Sequence, residues 1–124
     1  MTRATDRPTL ESLRALRDDI LRIAAAHDAH NIRVFGSVAR GEADERSDVD
    51  LLFDIPDPVD VMEYFGRLDN LRIALEELLG RSVSILDSRD IKLHPHDPTD
   101  KVASIDAAAL RRFRDRVLKD AVPL

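Results

Sequence analysis

The chain has 124 residues, enough for one domain with one modest core. Charged residues make up 35% and the net charge is -5, which argues against a duplex-binding surface while leaving room for a local basic strip. The absence of cysteine excludes disulfides, thiolate nucleophiles and cysteine-ligated zinc. No apolar run approaches the ~20 residues of a membrane span, so a soluble, cytoplasmic protein is expected.

Residues 1–8 are polar and read as a frayed end. From Thr9 apolar residues recur at helical spacing: Leu10, Leu13, Leu16, Ile20, Ile23 and Ala24. Thr9 or Thr5 is placed to cap this helix, which should end near His27 to His30. Ile32 to Phe35 reads as a short strand stopped by Gly36, and Ser37 to Ala43 as a short helix. Val49 to Ile55 is nearly continuous in apolar residues, the mark of a central strand. Asp57-Pro58 is a helix start, with Asp57 as cap and Pro58 in the first turn. Met62, Phe65, Leu68, Ile73, Leu75 and Leu78 supply its apolar stripe, and Gly80 fits a left-handed C-terminal cap. Ser82 to Leu86 is a third strand, and 88–104, with Pro95 and Pro98, is the least regular segment. A last helix spans Asp106 to Ala121, with Leu110, Phe113, Val117 and Ala121 on one face. The order α-β-α-β-α-β-α implies an α/β (α+β) domain: helices on a mixed sheet of three or four strands, one domain over 1–124.

Chemistry concentrates between Gly36 and Asp50. Gly36 permits a positive φ and close approach of a ligand. Ser37 offers a hydroxyl and an N–H where a helix would aim its N-terminus at an anion. Asp48 and Asp50 stand two residues apart, so on a strand their carboxylates share a face, roughly 6–7 Å apart at the backbone. Such a pair suits Mg²⁺, which takes oxygen ligands and keeps places for water and phosphate. An isolated Asp-x-Asp is usually a solvated strand edge. The neighbouring Gly-Ser turn tips the reading toward a nucleoside-triphosphate site, where positioning and charge neutralisation dominate catalysis.

Gly36-Ser37-Val38-Ala39-Arg40-Gly41-Glu42, followed by Ser47-Asp48-Val49-Asp50-Leu51, resembles the signature of the polymerase-beta-like nucleotidyltransferase superfamily. Within it the motif is closest to the minimal nucleotidyltransferases, and the compatible pattern runs over roughly residues 10–87. The resemblance implies a small nucleotidyltransferase fold with Gly36 and Ser37 on the triphosphate and Asp48 and Asp50 on catalytic Mg²⁺. Arg40 and Glu42 match frequent motif positions; Arg40 either approaches the phosphates or pairs with an acid. Ser47 is counted with the nucleotide site and caps or braces the strand entrance.

The pattern breaks at one place. Active members of the superfamily usually carry a third carboxylate on the next strand, and the matching position here is Ser84. A serine is a poor metal ligand and no general base at neutral pH. Asp87 is the candidate replacement, although simple alternation puts it on the opposite face from Ser84 unless a bulge redirects it. Asp54 shares the parity of Asp50 but lies ~13 Å along the strand. His94-Pro95-His96-Asp97 could be a metal cluster and reads better as a polar loop. Arg111, Arg112, Arg114, Arg116 and Lys119 make the outer face of the last helix basic, either simply solvated or a docking face.

The resemblance points to an antitoxin that transfers AMP from ATP to a tyrosine hydroxyl of a HEPN-type ribonuclease toxin. A chain this small has little room for an acceptor domain, so a partner protein would supply the acceptor. The alternatives are a degenerate antitoxin that neutralises by binding alone, favoured by Ser84, and an aminoglycoside-type small-molecule transferase. No direct nucleic-acid or membrane partner is expected.

Overall fold

The computed structural model describes residues 7–56, 60–88 and 101–124. Its elements run α1 (Leu10–Ala15), α2 (Arg17–Ala26), β1 (His30–Phe35), α3 (Gly36–Arg40), β2 (Val49–Asp54), α4 (Val61–Leu79), β3 (Val83–Asp87), α5 (Lys101–Asp120) and β4 (Val122–Pro123). The strands form one sheet in the order β3-β2-β1-β4. β1 runs antiparallel to β2 and to β4, while β2 and β3 are parallel. This is the mixed, helix-flanked sheet expected from the element order, with β2 interior.

The two faces of the sheet are covered by different helices. Val34, Val49, Leu51, Phe53 and Val83 join Leu13, Ile20, Ala24, Leu71 and Leu75 in the main core. Each buried Val, Leu, Ile or Phe side chain among them contributes roughly 1.5–3 kcal/mol over the exposed state. On the other face a smaller cluster joins Phe35 and Leu52 to Val117 of α5, with Leu86 and Ala121 against it. Strand alternation enforces this division: Phe35, Asp50, Leu52 and Ser84 all face α5.

The first helix is broken at Leu16, whose backbone caps α1 and opens α2. Thr9 is the cap: it accepts from the Ser12 N–H at 3.0 Å, and the Ser12 hydroxyl accepts from the Thr9 N–H. α4 begins at Val61 with Asp60 accepting from the Met62 and Glu63 N–H groups; the expected start at Asp57 and Pro58 lies outside the described residues. Gly80 closes α4 at φ 68, as its position predicts. The buried stripe of α4 differs from expectation. Met62, Phe65 and Ile73 are exposed, and Leu71 and Leu75 are the fully buried residues, flanked by Leu68, Leu78 and Leu79. A second apolar stripe a few residues out of phase therefore faces outward. The last helix starts earlier than expected, so residues 101–104 are helical, and the two-residue β4 was not visible in the sequence pattern. No helix among the described residues is long and apolar enough to cross a membrane.

Candidate active site

The Gly-Ser turn sits where β1 ends. Phe35 is still extended, Gly36 has φ 72, and the chain turns at once into α3. Gly36 is required twice over. Its φ lies in the left-handed region, and a Cβ there would run into the Asp50 carboxylate, with Asp50 Cγ 3.1 Å away. The glycine thus leaves space directly against the Asp50 carboxylate. α3 ends at Gly41, φ 73, and Glu42 N–H returns to the Ser37 carbonyl at 2.9 Å.

The loop between α3 and β2 is braced so that Asp48 and Asp50 are delivered in register. Ala43 is buried in the main core. Ser47 Oγ accepts from the Asp44 N–H at 2.9 Å and donates to Asp44 Oδ1 at 3.2 Å. Arg81 donates to the Ser47 carbonyl at 3.0 Å, tying the loop to the start of β3. Ser47 is therefore a brace in this structure, one of the two roles expected of it.

Asp50 stands opposite Phe35 on β1 and beside Ser84 on β3. Burial first, and then the charge of Asp48, push its carboxyl above the ordinary carboxylate value; a hydrogen bond from Ser84 and the charge of Arg40 work the other way. Asp48 itself is exposed. Ser84 thus stands directly beside Asp50. Asp87 does not reach this place. It is 2% exposed on the opposite face, and Tyr64 Oη on α4 donates to its Oδ2 at 2.5 Å. No bulge redirects it, because β2 and β3 stay in step from Val49↔Val83 to Phe53↔Asp87. Asp54 is also elsewhere, held by Asn31 at 2.9 Å and by Arg33.

Asp50 and Gly36 open onto a cleft of about 520 Å³ between the end of β1, α3 and the last turns of α5. Arg40 lines it, but its guanidinium is engaged, donating to Glu42 at 2.9 Å and to Asp120 at 2.6 Å. Hydrogen bonds to Glu42 and Asp120 raise the Arg40 guanidinium above its ordinary pKa. α5 supplies the opposite wall through Phe113, Arg116, Val117 and Lys119. The sequence reading missed this wall and assigned Arg116 and Lys119 to an outer face. The available signal was the spacing of 113, 116, 117 and 120 along one side of a helix. Among the described residues no cluster of three or more acidic or histidine side chains suited to a metal occurs, and His94, His96 and Asp97 lie outside them.

A strand ending in a glycine turn, with Asp50 of the neighbouring strand against it and a cleft beside both, is the arrangement of a nucleotidyltransferase domain. The chain belongs to the nucleotidyltransferase domain family, which matches residues 11–113. A Methanocaldococcus jannaschii protein provisionally named a protein adenylyltransferase is 28% identical over 111 residues, 90% of this chain and 96% of that one. A solved structure provisionally described as a minimal nucleotidyltransferase is 40% identical, covers 94% of this chain and 96% of its own, and superposes with a TM-score of 0.62. A toxin–antitoxin structure with AMP-PNP is 18% identical, covers 83% of this chain and 95% of its own, with a TM-score of 0.49; so loose a likeness bears on neither partner nor ligand.

Proposed function

We propose that this chain is the antitoxin of a toxin–antitoxin pair and silences its partner by transferring AMP from Mg²⁺-bound ATP to a tyrosine hydroxyl of a HEPN-type ribonuclease, in the cytoplasm. The observation that carries the reading is the placement of Asp50 against Gly36 on the wall of an open cleft. The relative named for protein adenylyltransfer supports a protein acceptor.

The donor set fits a divalent cation. Burial first, and then the charge of Asp48, raise the Asp50 carboxyl, and a cation beside it would relieve both costs. Mg²⁺ needs only one or two protein carboxylates when phosphate and water complete its shell. Asp48 and Asp50 would hold it, and when bound it supplies charge neutralisation at the phosphates. Gly36 keeps space open beside Asp50 so that phosphate oxygens come close to the backbone. In the transfer, the acceptor oxygen bonds to the α-phosphorus, the bond to pyrophosphate breaks, and the acceptor proton passes to solvent or a weak base. Ser84 cannot take that proton. A phenol, with a pKa near ~10, gives up its proton far more readily than an aliphatic alcohol. The weak base at this site therefore favours tyrosine over serine as acceptor.

Ser84 beside Asp50 also favours a second reading, neutralisation by binding alone. A growth assay separates the two. Cells carrying the toxin are rescued by the wild-type chain under both. Asp48→Ala with Asp50→Ala abolishes rescue if transfer is the mechanism and preserves it if binding suffices.

A further inference from the structure

We propose that the α5 wall of the cleft is part of the nucleotide site: Arg116 and Lys119 hold the phosphates of a nucleoside triphosphate, and Phe113 packs against its base. The inference rests on the nucleotidyltransferase reading above and extends it to residues outside the Gly-Ser and aspartate motif.

Three observations carry it. The first is charge. A triphosphate that meets Asp48 and Asp50 needs cations for the oxygens that a bound metal leaves over, and the chain as a whole is acidic. Arg40 is already committed to Glu42 and Asp120. Among the described residues, Arg116 and Lys119 make no ion pair or hydrogen bond, yet both line the same cleft as Asp50 and Gly36. A lysine in the last turn of a helix is explained by the helix dipole alone. Arg116, more than a turn from the helix end and facing the cleft, is not.

The second is geometry. Val117 is 2% exposed and packs on Phe35 and Leu52, which fixes the rotation of α5 on the sheet. Phe113 lies four residues before it and shares its face, and Arg116, three residues after Phe113, is the helical neighbour of Phe113 on the cleft wall. Arginine presents a planar fork that matches two phosphate oxygens; lysine adds a mobile point charge nearer the end of the helix.

The third is the exposed aromatic. Phe113 keeps 37% of its surface accessible although its helix has a core beneath it. An aromatic ring on a cleft wall beside two unpaired cations is the pairing that accepts a base and its phosphates, since a base stacks on an aromatic ring irrespective of its identity. The cleft, at about 520 Å³, is in the size range of small-ligand sites.

Titration calorimetry with Mg²⁺–ATP and with Mg²⁺–triphosphate (inorganic) on the full chain tests this. Arg116→Gln and Lys119→Gln should each weaken both probes about tenfold, as loss of one charge-assisted contact does. Phe113→Ala should weaken ATP several-fold and leave inorganic triphosphate unchanged. Arg111→Gln and Arg112→Gln, exposed on the same helix, are the controls and should change neither beyond twofold. The substituted residues are surface-exposed, and thermal melts verify that each variant folds. If the wild type binds ATP and the Arg116 and Lys119 variants match it, the inference about α5 is overturned while the nucleotidyltransferase reading stands. If Arg111→Gln or Arg112→Gln weakens binding equally, the effect is diffuse charge and the assignment to the cleft wall is overturned. If the wild type binds neither probe, the nucleotide reading fails and this inference with it.

Discussion

Neutralising Asp50 should stabilise the metal-free protein while destroying its metal response. Asp50 is half-buried and faces the charge of Asp48, and both effects raise its carboxyl above the unfolded value of 3.8. Two unit charges ~7 Å apart repel by about 0.6 kcal/mol in water and about 2.4 kcal/mol at an effective dielectric of 20. Asp48 is exposed, which keeps the repulsion toward the lower figure, at about 1 kcal/mol. Asp50→Asn removes it and keeps an oxygen for the Ser84 hydroxyl. A gain of that size raises Tm by roughly 3–5 °C in a domain of this length. The sign with pH follows from the direction of the shift. The folded state holds the Asp50 proton more tightly than the unfolded one, so its penalty is absent below the unfolded pKa and grows as pH rises toward the folded pKa. Above the folded pKa it is complete. Melts in EDTA from pH 4 to 8 should show Asp50→Asn drawing ahead of wild type as pH rises. Adding Mg²⁺ should raise the wild-type Tm and leave the variant unmoved. A variant less stable than wild type at pH 7 in EDTA, or a gap that does not change with pH, would refute the reasoning.

Gly36→Ala should cost about 1–3 kcal/mol in urea melts, since alanine is strained at φ 72 and its methyl meets the Asp50 carboxylate. Mg²⁺–ATP affinity should fall with it, and wild-type affinity in the variant would contradict the close-approach role of Gly36. Ser84→Asp places a third carboxylate beside Asp50. It should lower Tm by a few degrees in EDTA, recover it in Mg²⁺ and speed transfer; no gain in Mg²⁺ response would show that Ser84 is not at the metal position. Tyr64→Phe removes a donor to the buried Asp87 and should cost about 1–3 kcal/mol with nucleotide affinity unchanged. A stable Tyr64→Phe that no longer binds nucleotide would place Asp87 in the site after all.

The turn and the aspartates were legible in the sequence because their geometry is local. Gly36 ends a strand and Asp48 and Asp50 open the next, so antiparallel pairing of β1 with β2 brings them together. Alternation puts Ser84 on the Asp50 face and sends Asp87 to the other face, where Tyr64 meets it. The α4 stripe was misread because Met62, Phe65 and Ile73 interleave with Leu68, Leu71 and Leu75, and helical spacing alone cannot say which set meets the sheet. The α5 wall was invisible for a different reason. Whether Arg116 faces solvent or a cleft depends on Val117 docking beneath Phe35 and Leu52, a contact spanning more than sixty residues of chain. β4 is two residues long and has no pattern to read.

The central claim is transfer of AMP to a protein hydroxyl, and label position tests it most directly. The chain is incubated with the purified HEPN-type toxin proposed as its partner, Mg²⁺ and ATP labelled at the α- or the γ-phosphate. Label from the α-phosphate should become bound to the partner and remain after denaturation, pyrophosphate should appear in equal amount, and Asp48→Ala with Asp50→Ala should abolish both. A partner that gains γ-label, or no label while wild-type chain still neutralises it, would contradict the account.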